Sequence, residues 1–312
     1  MATDILCIGN VVVDAVGVGV DEIPREGSLA LFDRVELHIG GCAANSCLAL
    51  AKLGLRAGLC AKVGDDGMGA YVREVFTKHG VDVRGLTVSK DKRESTSYSF
   101  IMLPKSGDRR ILHTLGANAT LGPKDIPAKL LKGPKWVAAL GLTLLPGLFG
   151  ENLARVLKSA RKAGAKTAGD TAMNNRMNDW SPAFAGCWEH FDVFFPSEEE
   201  ARRITGDLPH KDICQWLRDH GVKVAGVKLG ARGSAVLCDD GYEEIPPFKV
   251  NAIDTLGAGD SFMAGLLAGL LKGLHPFEAA RMGNATAAHC VQAVGATTGI
   301  PKLAKVERMM KA

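Results

Sequence analysis

IDTLGAGDSFMAGLLAGLLKG, residues 253–273, sets one aspartate, Asp260, at the mouth of a helix whose following residues are almost all apolar. Gly257 and Gly259 precede it. A helix that begins near Ala258 leaves its first N–H groups without intrahelical partners, and with the helix dipole these make an anion site. The glycines let the backbone approach a ligand with no Cβ in the way. A phosphoryl group seated there would lie beside Asp260, which could take a proton from an attacking hydroxyl. A plain glycine turn with an acid in the first helical turn accounts for the same residues, since Asp is favoured at a helix N-terminus in any case. The stretch is not a Walker A loop, because no G-x-x-x-x-G-K-[ST] occurs anywhere.

Outward from this stretch, short apolar runs alternate with helical patterns almost from end to end. DILCIG (4–9) reads as a buried strand and CAANSCLALAKLG (42–54) as a helix, then RAGLCAKVG as a strand and MGAYVREVFTKHG as a helix. The rhythm returns at KWVAAL, AKTAGD, FDVFFP with SEEEARRITG, and KVAGVKLG. Such alternation predicts an α/β fold with a mostly parallel sheet covered by helices on both faces. RVELHIGG (34–41) instead alternates apolar and polar residues, and STSYSFIML and RRILHTL read as a hairpin around the turn PKSGDRR. These strands predict a small, half-exposed sheet that projects from the main one as a cover. The expected organisation is one domain over 1–312, with a discontinuous β lid from about 11–40 and 95–115.

Composition narrows the class. Of 312 residues 46% are hydrophobic and 23% charged, ordinary for a soluble globular protein. The formal net charge of +4 is spread along the chain, which argues against a nucleic-acid partner. The eight cysteines show no C-x-x-C pair and no metal-ligand spacing, and the N-terminus lacks the basic and apolar regions of a signal peptide. The apolar run after Asp260 is too short for a membrane span, so the chain reads as cytoplasmic, with no membrane partner. The eight histidines show no H-E-x-x-H, and no G-x-S-x-G elbow exists.

DTLGAGDSF (254–262) resembles the C-terminal signature of the ribokinase-like, or PfkB-type, carbohydrate kinases. GGCAANSCLALAKLG (40–54) followed by AKVGDDGMG (61–69) resembles that family's N-terminal signature, so the resemblance spans essentially the whole chain. It implies a ribokinase-like three-layer sandwich with a projecting β lid, and ATP and Mg2+ as phosphoryl donor and metal. It implies Asp260 as catalytic base and the amides of Gly257, Ala258 and Gly259 as a hole for the γ-phosphate. Asp14, in GNVVVD, falls where the family holds sugar hydroxyls, although a polar residue ending a strand explains it too. Gly40, Gly41 and Asn45 fit the same pocket. A helix-entry turn explains the glycines equally well, but not an asparagine in an otherwise apolar helix.

Lys228, Gly230 and Gly233, in VKLGARGSAV, resemble the family's nucleotide loop, and Thr255 and Asn284 fall beside it. SEEE (197–200) departs from the family's N-x-x-E, whose glutamate acts on Mg2+ through water. Ser197 and Glu200 also make a helix capping box, and both readings of Glu200 stay open. Asp254 resembles the residue beside the family's monovalent-cation site, which would make K+ an activator. GDTAMNNRMNDW (169–180) is similar to the D-x-N-x-R-x-x-x-W pattern of many sugar-directed members, with Asp170 two residues early. Arg176 could fork onto a substrate oxygen. Arg109, on the hairpin, could reach down to an acidic substrate or lie on a solvated face.

The expected activity is ATP-dependent transfer to a hydroxyl, preferably primary, of a sugar or sugar acid. Cys42 stands where ribose-directed members carry lysine, which disfavours ribose; a fructose-like or 2-keto-3-deoxy sugar acid fits better. A nucleoside kinase of the same fold and a non-catalytic sugar or nucleotide sensor are the alternatives. A dehydrogenase would need G-x-G-x-x-G after the first strand, which CIGNVVVD does not supply. The half-exposed lid has edges that need covering, as a homodimer built through it would provide.

Overall fold

The computed structural model describes residues 3–106 and 109–311. In chain order its strands are β1 (Ile5–Gly9), β2 (Val12–Val18), β3 (Arg34–Gly40), β4 (Ala57–Val63), β5 (Asp82–Val88), β6 (Tyr98–Leu103), β7 (Arg110–Thr114), β8 (Trp136–Leu140), β9 (Lys166–Gly169), β10 (Val193–Phe194), β11 (Val224–Lys228), β12 (Ser234–Cys238) and β13 (Gly241–Ile245). The helices are α1 (Cys42–Leu53), α2 (Gly67–Lys78), α3 (Glu151–Lys162), α4 (Ser181–Phe184), α5 (Glu198–Thr205), α6 (His210–Asp219), α7 (Ala258–Leu271), α8 (Pro276–Cys290) and α9 (Leu303–Lys311).

Nine strands form the main sheet in the order β13-β12-β11-β10-β9-β8-β1-β4-β5. β1 and β8 are buried on both faces, and their sequences are accordingly continuous apolar runs. All the pairings are parallel except β11–β12 and β12–β13. This antiparallel edge hairpin was not read from SAVLC and GYEEI; two short strands around a two-residue turn carry no helix between them to set the rhythm. The helices lie on both sides of the sheet, as the alternation predicts. α3 shows the pattern at its plainest: Leu153, Val156, Leu157 and Ala160 are buried while its charged residues face out.

A second sheet of four strands runs β3-β2-β6-β7, with β2–β6 parallel and the outer pairs antiparallel. The β6–β7 turn contains residues 107 and 108, which lie outside the described residues. Two details differ from the sequence reading. Asp14 does not end the first strand; it sits within β2, in the small sheet. The apolar alternation of β3 does not bury a face, since Val35 is 51% and Leu37 41% exposed. Val35 and Leu37 stay open to solvent, while Ile39 packs against the main core.

α7 and α8 pack closely at the site end of the main sheet, and glycine makes this possible. A Cβ on Gly265 would come within 2.4 Å of Thr286 Oγ1 and 2.6 Å of the Met282 carbonyl oxygen. One on Gly269 would lie 2.9 Å from Ala279 Cα. Glycine within a helix costs roughly 1 kcal/mol of propensity against alanine, so these positions are kept by packing. The Gly265→Ala variant should therefore lose stability despite better propensity, because overpacking against backbone costs about 1–3 kcal/mol. Thermal denaturation should register a drop of roughly 2–5 °C; an unchanged or higher midpoint would show that the helices can part without cost.

Candidate active site

α7 begins in a tight turn. Gly257 has φ 74°, and a Cβ there would stand 2.4 Å from the Ala296 carbonyl oxygen, so only glycine fits. The first intrahelical bond runs from the Ser261 amide to the Gly257 carbonyl at 2.8 Å, and the Ala258 amide makes a turn bond to the Thr255 carbonyl at 3.2 Å. Among the described residues no protein acceptor meets the amides of Gly257, Gly259 or Asp260. The helix therefore presents open donors at its positive end, an arrangement suited to a phosphate.

Asp260 is half-buried in the first turn. Its Oδ2 accepts from Asn45 Nδ2 at 2.8 Å, and its carbonyl oxygen accepts from Ser46 Oγ at 3.0 Å. Two consecutive residues of α1 thus clamp the start of α7. Because a carboxylate only accepts, the bond fixes the Asn45 amide so that Oδ1 points away. Asn45 is 4% exposed and that Oδ1 has no partner, which leaves a buried acceptor beside Asp260. Burial pushes the Asp260 carboxyl above the ordinary range, while the Asn45 bond and the Lys228 charge pull it back.

Around Lys228 three carboxylates converge. Its Nζ pairs with Asp170 Oδ2 at 2.5 Å, and a Cβ on Gly259 would lie 3.4 Å from the same Nζ. Burial alone would depress the ammonium, but Asp170, Glu200 and Asp260 more than offset it. Asp170, 1% exposed, is pushed up to about 8 by burial and by its two acidic neighbours, against the pull of Lys228. Cys42 joins the same cluster: burial and the three carboxylates hold its thiol protonated.

Glu200 is 9% exposed. Its Oε2 accepts from Thr171 Oγ1 and from the Ser197 amide, both at 2.8 Å, and the Glu200 amide donates in turn to the Ser197 hydroxyl oxygen at 3.4 Å. The capping box is present, yet it uses only one carboxylate oxygen; Oε1 takes no hydrogen bond among the described residues. A Mg2+ ion fits this surplus of hard oxygen donors facing one ammonium.

Next to the cluster opens a cavity of about 430 Å³ lined by Lys228, Gly230, Gly233, Thr255, Ala258, Gly259 and Asn284, with Pro247, Phe248, Ala287 and Val291 as apolar walls. All five residues expected at the nucleotide line it. Asn284 is buried, not on the surface, and donates to the Ile245 and Pro246 carbonyls at 3.1 and 3.2 Å. Asp254 spends its oxygens on the amides of Leu256 (3.0 Å) and Gly295 (2.9 Å), which braces the loop before α7.

The small sheet brings up the other side. A Cβ on Gly40 would lie 2.1 Å from Asp14 Oδ2, so this glycine clears space for the carboxylate. Burial raises Asp14, and Ser99, His113, His38 and Arg109 counteract it. Ser99 Oγ and His113 Nδ1 are 3.1 Å apart, and burial depresses His113, with Asp14 raising it and Arg176 adding to the depression. Arg109 is among the charges that act on Asp14 and Arg176 among those that act on His113, and neither arginine makes an ion pair among the described residues. Arg176 projects from an Asx turn closed by its amide on Asn174 Oδ1 at 3.1 Å, and Asn174 is held by the Thr143 carbonyl at 2.7 Å.

Sequence reasoning missed Asn10, whose Oδ1 accepts from the Cys42 amide at 2.9 Å and caps α1 in place of Gly41. It also left Asp170 without a role and did not place Ser99 or His113. The spacing of GDTAMNNR pointed to the loop, but pairing across the sheet to Lys228 leaves no local signal.

A model of the pfkB family carbohydrate kinases matches residues 2–303. The 2-dehydro-3-deoxygluconokinase of Bacillus subtilis is 28% identical, covering 88% of this chain and 87% of that protein. The aminoimidazole riboside kinase of Salmonella typhimurium is 29% identical over 84% of each chain. Among solved structures, ribokinase from Thermotoga maritima superposes with a TM-score of 0.84 at 25% identity, covering 100% of both chains.

Replacing Lys228 by methionine removes the cation from among three acids. Breaking a buried pair costs about 3–5 kcal/mol, and the loss should depend on pH. Asp170 has a folded pKa of about 8, above the unfolded value near 3.9. Such a group stabilises fully below the unfolded value and loses that contribution as pH rises through the folded one. Without Lys228 the folded value rises further, so the deficit against wild type should be larger at about pH 8 than at about pH 5. Melting curves across that range check it; a pH-independent deficit would mean the carboxylates do not share the ammonium.

Proposed function

This chain belongs to the PfkB family of carbohydrate kinases and is an ATP-dependent sugar kinase, and we propose that it phosphorylates a primary hydroxyl of a sugar acid, of the 2-keto-3-deoxy class. The observation that carries the reading is the pairing of open amides at Gly257, Gly259 and Asp260 with a carboxylate on the last of them. ATP lies with its base against Phe248 and Ala287 and its phosphates toward Lys228 and Gly259. The acceptor hydroxyl sits between Asp260, which takes its proton, and the free Oδ1 of Asn45, which fixes the neighbouring hydroxyl. Glu200, through its uncommitted Oε1, would hold Mg2+, which would supply charge neutralisation at the phosphates. The loop that Asp254 braces would hold a monovalent cation such as K+.

The preference for an acid rests on the small sheet. Arg109, His38 and His113 act on one carboxylate, Asp14, which holds the sugar hydroxyls, and Arg176 acts on the neighbouring His113. Two uncommitted guanidinium groups can receive a substrate carboxylate. Together the chain works as one kinase domain whose lid, 11–40 with 95–115, closes over the acceptor and excludes water. The lid's open apolar side, with Leu31 89% and Leu112 64% exposed, pairs with a second copy of the chain. All eight cysteines are free, in keeping with work in the reducing cytoplasm. Among the described residues no helix is long and apolar enough to cross a membrane.

Three measurements test the reading. Asp260→Asn should lower kcat by roughly 10²–10⁴-fold and leave the affinity for a non-hydrolysable ATP analogue within about a factor of three; undiminished turnover would remove the base. The base works deprotonated, and burial raises its pKa, so the acid limb of the kcat/KM profile should lie above the ordinary carboxylate range of about 4. A limb at or below that value would contradict the assigned environment. In an acceptor panel the 2-keto-3-deoxy sugar acid should show the highest kcat/KM, and Arg176→Ala should raise its KM by roughly tenfold or more. A higher kcat/KM for ribose, fructose or a nucleoside would overturn the acceptor class, and binding without turnover throughout would favour a sensor.

A further inference from the structure

Away from the kinase site, the turn between β12 and β13 meets the start of α8. Cys238 ends β12 and pairs across the turn with Gly241; Asp240 lies in the turn, and His275 caps α8. His275 Nε2 and Asp240 Oδ2 are 2.8 Å apart. One ligand atom from each of Cys238, Asp240 and His275 lies within 4.8 Å of the other two. The thiol is buried and the carboxylate and imidazole are exposed, so the group opens to solvent on one side.

We propose that these three side chains form a transition-metal site, with Zn2+ as the natural occupant. Sulfur, nitrogen and oxygen donors in one cluster suit Zn2+ or Co2+, whereas Mg2+ and Ca2+ take all-oxygen shells. Three protein ligands leave a fourth tetrahedral position to water. The thiol proton is released on binding. The imidazole proton moves from Nε2 to Nδ1, which gives up only a long 3.4 Å contact with the Phe277 amide. No cysteine spacing announces the site because the ligands come from two elements that meet only in the fold.

Its position gives the metal a task. β13 runs on to Pro247 and Phe248, one wall of the nucleotide cavity, and α8 carries Asn284, Ala287 and Val291 on the other. Asn284 already ties these walls through the Ile245 and Pro246 carbonyls. A metal at the opposite end of β13 fastens the same two elements a second time.

The test is titration of metal-stripped, full-length protein with Co2+. One equivalent should develop a thiolate-to-cobalt charge-transfer band with the visible intensity of a tetrahedral ion, and Zn2+ should displace it. Cys238→Ser should abolish the band, and Cys42→Ser, at the kinase site, should leave it intact. His275→Ala and Asp240→Ala change exposed side chains and should weaken Co2+ binding roughly tenfold or more. No thiolate band in wild type, a band lost with Cys42 instead of Cys238, or unchanged affinity in both the His275 and Asp240 variants would overturn the site.

Discussion

One ammonium among three carboxylates is the constraint on which the rest of this structure depends. Lys228 ends β11, Asp170 follows β9, Glu200 opens α5 and Asp260 opens α7, so four elements deliver charge to one point. The pair at 2.5 Å holds β11 against the loop after β9, and the Lys228 amide adds a bond to the Pro196 carbonyl at 2.9 Å just before α5. In a poorly solvated setting the acids cannot all ionise against a single cation without cost, which is what the raised Asp170 and Asp260 values express. Such a surplus of negative charge is relieved by a divalent ion. The site is therefore built short of positive charge, a deficit that the proposed Mg2+ would make up.

The backbone answers the opposite need. Open amides at the start of α7 are donors waiting for an anion, and they lie on the same turn as the carboxylate that Asn45 orients. In the proposed mechanism, proton acceptor and anion hole are thus both set by one helix start, which α1 clamps through Asn45 and Ser46. α1 in turn is capped by Asn10 from the end of β1, the buried centre of the sheet. Packing of α7 against α8 through Gly265 and Gly269 sets where that turn sits.

Much of this was legible in the sequence, and the reason is local. The strand–helix rhythm, the glycines before Asp260 and the polar Asn45 in an apolar helix are all features of single short stretches. What stayed hidden is what forms between distant stretches. Asp170 pairs with Lys228 across the intervening β10, Asn10 caps a helix that begins at Cys42, and His113 reaches Asp14 only once β7 and β2 join β6 in one sheet. Glu200 shows why two readings of one residue can both stand: its capping duty uses Oε2 and leaves Oε1 over. The β12–β13 hairpin escaped because its strands are short and lack a helix between them.

The most direct test of the account is a crystal structure with ADP, Mg2+, aluminium fluoride and the acceptor, a mimic of the transferring phosphoryl. The account predicts the fluoride atoms on the amides of Gly257, Gly259 and Asp260, with the acceptor oxygen about 2.6–3.2 Å from the Asp260 carboxylate. A planar fluoride bound elsewhere, or an acceptor oxygen out of reach of Asp260, would contradict it.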